Sequence, residues 1–147
     1  MSEIGVPEDS GNRRRILLAD DHPLVLERVT RFLQPTFDVV GVAHNGLEMV
    51  LEAMRLKPDV IVADISMPGL DGIEAAHQLR EMGARATIVF LTINESPEFV
   101  EACLAEGALG FVVKSHIKTD LIPAINAALS GQCFVSSTRH TNTYGFP

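Results

Sequence analysis

The sequence has few of the residues that mark several large classes of protein. Only two of its 147 residues are cysteines, Cys103 and Cys133, and they are far apart and have no CxxC spacing. This pattern favours two reduced thiols over a disulfide framework or a zinc site. No apolar run approaches about 18 residues, the length of a membrane span. The polar first residues lack the apolar core of a signal peptide, so we expect a cytoplasmic protein without a membrane segment.

Basic residues are also scarce. Lysine and arginine together number 12 against 19 acidic residues, which gives a net charge of −7. Because a nucleic-acid surface needs clustered lysine and arginine, we expect this chain itself to bind no nucleic acid. The hydrophobic content of 46% is too high for a disordered chain. The length fits about one domain, and the acidic balance is compatible with a cation site.

Short apolar runs alternate along the chain with stretches of helical spacing. The runs are near-continuous in apolar character, which is typical of strands buried on both faces of a parallel sheet. They are Ile16–Ala19, Val39–Ala43, Val60–Ala63, Ile88–Leu91 and Gly110–Val113. Each is followed by a stretch with helical periodicity, and repeated strand–helix units build such a sheet with helices on both faces. The sequence therefore predicts a doubly wound α/β fold with a five-stranded parallel sheet and five helices.

Helix ends and domain limits follow from the same pattern. Glycines after the third, fourth and fifth helical stretches, at positions 83, 107 and 131, predict helix stops. The second helix is predicted to bury a stripe of Leu47, Val50, Leu51 and Met54. Pro123 is expected in the first turn of the last helix, with Asp120 as its cap.

The predicted domain covers residues 14–131. Residues 1–13 are interpreted as a disordered N-terminal tail, and 132–147 as a polar tail or linker remnant without a visible output domain.

Polar side chains follow four of the five predicted strands. Asp20 and Asp21 follow the first run, Asp64 the third, Thr92 the fourth and Lys114 the fifth. Each alone has an ordinary explanation as a helix cap, a turn residue or a surface charge. Because parallel strands place their carboxyl ends at one edge of the sheet, where ligands bind, the joint placement predicts one site.

The chemistry of this set indicates phosphoryl transfer. Three carboxylates in one crevice repel each other unless a cation is bound, and oxygen ligands with water suit Mg²⁺. One carboxylate can then act as a nucleophile and form an aspartyl phosphate. A lysine neutralises the charge of the phosphoryl group, and Thr92 could bond one of its oxygens.

Four segments carry a family resemblance. They are ILLADDHPLV around Asp20 and Asp21, DISMPGLDG from Asp64 to Gly72, VFLT ending at Thr92, and EGALGFVVKS around Lys114. Over about residues 14–131 the chain resembles the receiver domain of bacterial two-component response regulators. Its Asp-Asp-His-Pro and GFVVKS segments are most similar to the NarL/FixJ-type (LuxR-family) subgroup.

The resemblance implies a flavodoxin-like fold with strand order 2-1-3-4-5 and a set of site residues. Asp64 would be the phosphoacceptor, with Mg²⁺ bound by Asp64, by Asp21 directly, by Asp20 largely through water, and by the backbone carbonyl of Ser66. Lys114 would pair with the phosphoryl group. The domain would catalyse its own phosphorylation and dephosphorylation without being a dedicated enzyme.

The resemblance also implies a switch and partners. Thr92 would be the switch hydroxyl, and Phe111 the aromatic side chain that turns inward with it. A sensor histidine kinase would supply the phosphoryl group, and phosphorylation could lead to a homodimer.

Other phosphate-handling folds fit the residues less well. A haloacid-dehalogenase-type phosphatase needs a second aspartate two positions after the nucleophile, where this chain has Ser66. The segment GVAHNG resembles the start of a P-loop, but Leu47 and Glu48 stand where lysine and Ser/Thr are required. GxGxxG and GxSxG are absent, and the five histidines have no ligand spacing.

Two hypotheses remain for the output. The chain is either a stand-alone receiver, acting through protein contacts or as a phosphate sink, or the receiver part of a DNA-binding transcription regulator whose helix-turn-helix domain is absent from this chain. A degenerate interaction module that is never phosphorylated is a third hypothesis, against which the complete set of site residues argues.

Overall fold

A computed structural model describes residues 13–93 and 96–136, with the Phe99 side chain left out. Within these residues it contains six strands, five α-helices and one short 3₁₀ turn, Lys114–His116, which leads into the last helix. The strands are β1 Arg15–Ala19, β2 Asp38–Ala43, β3 Val60–Asp64, β4 Thr87–Thr92, β5 Gly110–Val113 and β6 Phe134–Val135. The helices are α1 Pro23–Leu33, α2 Gly46–Leu56, α3 Gly72–Glu81, α4 Pro97–Ala105 and α5 Ile117–Leu129. The tail predictions for 1–12 and 137–147 lie outside the described residues.

The strands form one parallel sheet in the order β2-β1-β3-β4-β5-β6. The predicted fold class and the order of the first five strands are confirmed. The sixth strand was not predicted, because residues 132–136 were assigned to the tail. Phe134 and Val135 pair with Gly110 and Phe111 of β5. A two-residue strand is too short to produce a periodic pattern.

Alternate residues of each strand face opposite sides of the sheet, because side chains alternate along a strand. On one side, Leu17, Ile61, Phe90 and Phe111 pack with buried residues of α2, α3 and α4. On the other side, the next residues along each strand pack with α1 and α5. Both sides of the central strands are therefore buried, which explains their continuous apolar runs.

Several helix ends follow ordinary capping chemistry. Asn45 caps α2 through the Glu48 N–H, and Asp71 and Glu74 form a capping box at α3. The glycines at 83, 107 and 131 all have positive φ, which confirms the predicted helix stops. In the described residues, no helix is both long and apolar enough to cross a bilayer.

Two local predictions were wrong. Pro123 lies inside α5 and not in its first turn, because the helix starts at Ile117, directly after the 3₁₀ turn. Asp120 is therefore not the cap, and its carboxylate accepts a hydrogen bond from Ser136 Oγ (2.5 Å). In α2, Val50 is buried and Met54 is partly buried as predicted, but Leu47 and Leu51 are exposed, and the helix buries Met49 and Ala53 in place of them.

Candidate functional site

The carboxyl edge of the sheet brings the predicted polar residues together. Strand β1 lies beside β3 with Ala19 opposite Ala63, so the residues that follow them, Asp20 and Asp64, are neighbours. Asp64 itself lies opposite Leu91, the residue before Thr92. Lys114 follows β5, and its long side chain reaches back across β4 to both aspartates.

Asp20 is buried and held through both carboxylate oxygens. Its Oδ2 accepts a hydrogen bond from Lys114 Nζ at 2.8 Å. Its Oδ1 accepts one from the backbone N–H of His22 at 2.9 Å. The backbone N–H of Asp20 donates to the Ala43 carbonyl of β2, which fixes the residue at the start of the crevice.

Asp64 is 5% exposed and lies at the end of β3. Its Oδ2 is 3.3 Å from Lys114 Nζ, and its Oδ1 accepts a long hydrogen bond (3.3 Å) from the backbone N–H of Ser66. Burial raises the pKa of Asp64 above its ordinary value, and the negative charge of Asp20 raises it further. Lys114 and the Ser66 N–H offset part of this effect. Additional negative charge in the crevice is therefore unfavourable unless more positive charge is present.

Lys114 links the two buried carboxylates. Burial would lower the pKa of Lys114, but the hydrogen bond with Asp20 and the charges of Asp64 and Asp20 outweigh burial, and the pKa is raised. The ammonium group thus stays charged in the crevice. One lysine cannot neutralise three carboxylates, so the cluster retains excess negative charge.

Asp21 leaves one polar atom without a hydrogen bond. Its Oδ1 is buried and has no hydrogen-bond partner among the described residues. His22 Nδ1 is 3.1 Å away but is not aligned for a hydrogen bond. A buried carboxylate oxygen without a donor is costly, and a bound cation removes the cost.

His22 is a member of the site that sequence reasoning missed. One ligand atom from each of Asp20, Asp21, His22 and Asp64 lies within 4.8 Å of the others. The histidines have no ligand spacing in the sequence, so His22 was not predicted to belong with the preceding aspartates. Its direct succession to the aspartate pair indicates that it lies near them, but does not show where its ring points.

Two glycines set the shape of the loop between Asp64 and α3. A Cβ atom on Gly72 would lie 2.2 Å from the backbone oxygen of Asp64, and one on Gly46 would lie 2.0 Å from that of Leu70. The Gly72 N–H donates to the Ile65 carbonyl at 2.8 Å. Both helices thus begin in direct contact with this loop, and Gly72 supports the main chain of Asp64 itself.

The predicted switch residues are buried near the crevice. Thr92 is 3% exposed at the end of β4, opposite Val113. Phe111 already packs inward, opposite Phe90 in the core beneath α2, α3 and α4. Ser66 lies two residues after Asp64, and its backbone N–H donates to Asp64 Oδ1. The roles predicted for Thr92, Phe111 and the Ser66 carbonyl stay predictions.

The residues present fit a divalent cation. The unsatisfied Asp21 oxygen, the excess negative charge and the close grouping of carboxylates together form an oxygen-rich donor set. Such a set, completed by water and phosphate oxygens, is the kind that Mg²⁺ uses. Asp20, Asp21, Asp64 and the Ser66 carbonyl are the candidate ligands.

Comparison with known proteins identifies relatives of this chain. Residues 16–126 match the family model described as the response regulator receiver domain. The chain is 36% identical over 124 residues to the response regulator GacA of Pseudomonas viridiflava, a match that covers 83% of this chain and 58% of GacA. The chain thus spans little more than half the length of this relative.

Solved structures show the same similarity. The signal receiver domain of the response regulator NarL from Mycobacterium tuberculosis superposes with a TM-score of 0.77 at 30% identity, covering 82% of this chain and 98% of that one. The response regulator RcsB in its complex with DNA superposes with a TM-score of 0.76 at 30% identity. That match covers 84% of this chain and 63% of RcsB.

Proposed function

Since this chain belongs to the response regulator receiver domain family, we propose that it is a phosphoacceptor switch in which Asp64 receives a phosphoryl group from a histidine kinase. The observation that carries the proposal is the position of the Asp64 carboxylate, 3.3 Å from Lys114 Nζ beside a carboxylate cluster. Self-catalysed transfer onto this residue makes the domain a switch and not a dedicated enzyme.

The transfer step follows from the residues of the crevice. An oxygen of Asp64 forms a bond to phosphorus, and the bond between phosphorus and the donor atom breaks. The donor atom, a histidine nitrogen or an acyl oxygen, leaves with the electron pair. Lys114 lies close enough to pair with a phosphoryl oxygen and to neutralise part of its charge.

Mg²⁺, when bound by Asp20, Asp21, Asp64 and the Ser66 carbonyl, supplies positive charge to the carboxylates and to the phosphoryl oxygens. Within the chain, Asp20 keeps Lys114 in place through their hydrogen bond (2.8 Å). The loop that ends at Gly72 holds the main chain of Asp64. Hydrolysis resets the domain: water attacks phosphorus, the bond from phosphorus to the Asp64 oxygen breaks, and Asp64 leaves as the free carboxylate with inorganic phosphate released.

The phosphorylated state is read out through β4 and β5. A phosphoryl group on Asp64 lies within reach of the adjacent strand end, where Thr92 donates its hydroxyl hydrogen. Thr92 is opposite Val113, two residues after Phe111. A shift at Thr92 therefore reaches β5 and the neighbouring surfaces of α4 and α5, biasing an existing equilibrium between two conformations. Dimer formation after phosphorylation is one such output.

The proposal is tested by labelling the protein with acetyl phosphate in Mg²⁺ and measuring its intact mass. The expected result is the mass of one added phosphoryl group, which disappears in Asp64→Asn and after removal of divalent cations with EDTA. Asp38→Asn, an exposed aspartate at the edge strand β2, is the matched control and should be labelled normally. Labelling of Asp64→Asn at the wild-type level would show that Asp64 is not the acceptor. Size-exclusion chromatography of the same samples detects dimer formation.

DNA binding by a longer protein is a second candidate for the output. The specific observation in its favour is the similarity to RcsB, whose structure in a DNA complex extends well beyond the matched region. The coding sequence that follows Pro147 tests this candidate. An encoded helix-turn-helix segment supports it, and a stop codon there leaves protein contacts as the output.

A further inference from the structure

His22 places a nitrogen atom next to two carboxylates of the cation site. Its Nδ1 lies 3.1 Å from Asp20 Oδ1 and 3.1 Å from Asp21 Oδ1. We propose that His22 is a nitrogen ligand of the divalent cation bound here, and that it shifts the selectivity of the site from Mg²⁺ towards later transition metals such as Co²⁺. This inference rests on the proposed function for the presence of the cation.

The distances match the coordination shell of one ion. Two neighbouring ligands of an octahedral ion, each about 2.1 Å from the metal and at a right angle, are about 3.0 Å apart. The two separations from His22 Nδ1 are within about 0.1 Å of this value. Opposite ligands would be about 4.2 Å apart, and all four candidate atoms lie within 4.8 Å of one another. Small shifts bring them around a common centre.

The local backbone directs the imidazole to this position. His22 is the N-cap residue of α1, directly before Pro23, and its side chain makes no capping hydrogen bond. Its backbone N–H donates to Asp20 Oδ1 at 2.9 Å, which folds the turn back over the aspartate pair. The His22 side chain is 66% exposed, so the ring can adjust to a bound ion without disturbing the core.

The identity of the ligand atoms predicts which divalent metal the site prefers. Carboxylate, carbonyl and water oxygens suit Mg²⁺ and Mn²⁺, whereas imidazole nitrogen suits the later divalent transition metals. Adding one nitrogen to an oxygen site therefore strengthens binding of Co²⁺ relative to Mg²⁺. The buried Asp21 Oδ1, which lacks a hydrogen bond among the described residues, provides an oxygen directly beside that nitrogen.

A purely structural role for His22 makes a different prediction. In that case Nδ1 would only donate to Asp20 Oδ1 and help to hold the carboxylate. Removing the ring would then weaken the binding of all divalent cations to a similar extent. His44 offers a matched control, because its Nδ1 contacts the Glu48 carboxylate at 3.0 Å just before α2, outside the cluster.

The test measures Mg²⁺ and Co²⁺ binding to the full chain by isothermal titration calorimetry in wild type, His22→Asn and His44→Asn. We expect His22→Asn to weaken Co²⁺ binding by about tenfold or more and Mg²⁺ binding by less than about threefold. His44→Asn should change neither. Circular dichroism of each variant checks that it is folded.

A second readout detects the bond to nitrogen directly. Pulsed electron paramagnetic resonance of bound Mn²⁺ should show coupling to a histidine ¹⁴N nucleus in wild type and in His44→Asn, and none in His22→Asn. If wild type binds Mn²⁺ without this coupling, His22 is not a ligand and this inference is overturned, while the proposed function stands. If wild type binds no divalent cation and is still labelled by acetyl phosphate in EDTA, the cation site of the proposed function fails as well.

Discussion

The substitution Gly72→Ala tests the close contact between α3 and the main chain of Asp64. Cβ contacts with other heavy atoms shorter than 3.0 Å are essentially never observed, and the new methyl group would lie 2.2 Å from the Asp64 carbonyl oxygen. Backbone atoms must therefore separate by about 0.8 Å, which is overpacking against an element that cannot rotate away. Helix propensity acts in the opposite direction, because alanine is favoured over glycine by up to about 1 kcal/mol. The steric effect and helix propensity therefore predict changes of opposite sign in the free energy of unfolding.

We expect the steric effect to prevail. Overpacking of this kind costs about 1–3 kcal/mol, and rigid backbone on both sides places Gly72→Ala at the upper end of that range. For a chain of this size, a loss of about 3 kcal/mol lowers the melting temperature by about 6–12 °C. Urea denaturation followed by far-ultraviolet circular dichroism suits this protein, which has no tryptophan. Displacement of Asp64 should also slow labelling by acetyl phosphate by up to about 100-fold.

Gly46→Ala separates stability from reactivity. Its new Cβ would meet the carbonyl of Leu70, at the far end of the same loop from Asp64. We expect a similar loss of stability and a smaller loss of labelling, below about tenfold. A Gly72→Ala protein as stable as wild type or more stable, and labelled at the wild-type rate, would refute the close contact at Asp64.

Two further predictions concern the charges of the crevice. Lys114→Gln leaves the buried Asp20 and Asp64 without their shared cation, so in EDTA it should lose about 3 kcal/mol of unfolding free energy in urea; the exposed Lys118→Gln should change it by less than about 0.5 kcal/mol. Burial, and then the negative charge of Asp20, raise the pKa of Asp64 above its value in the unfolded chain. The folded state therefore binds a proton on Asp64 more tightly than the unfolded state does. The free energy of unfolding falls as the pH rises from the ordinary aspartate pKa to the raised pKa of Asp64. In EDTA, Asp64→Asn should therefore be more stable than wild type at pH 7 and lose this advantage near the ordinary aspartate pKa; equal stability at both pH values would contradict the raised pKa.

The meeting of the polar residues at one edge of the sheet was predictable, because the topology alone determines where the strands end. Five buried runs with helices between them permit few arrangements other than a parallel sheet, and its carboxyl ends share one edge. Asp20, Asp64 and Lys114 meet there regardless of finer detail. His22 could not be placed in the same way, because the position of its ring depends on the turn between β1 and α1. That turn is visible only once the hydrogen bond from its N–H to Asp20 is known.

The wrong local predictions have physical causes too. Helix α2 carries apolar residues on more than one face, so periodicity could not show that Met49 and Ala53 face the core and Leu47 and Leu51 the solvent. Pro123 was assigned to a first turn because Asp120 is a good capping residue. The 3₁₀ turn after β5 starts the helix earlier, and the Asp120 carboxylate accepts its hydrogen bond from Ser136.

Ser136, directly after the short strand β6, forms hydrogen bonds to both β5 and α5. Its N–H donates to the Phe111 carbonyl at 2.8 Å, and its hydroxyl donates to Asp120 of α5. A movement of β5 at Phe111 must either carry Ser136 with it or break its hydrogen bond to that strand. Ser136 thus links the strand that carries Phe111 to helix α5. A shift of β5 at Phe111 therefore also acts on Asp120, the partner of Ser136 in α5.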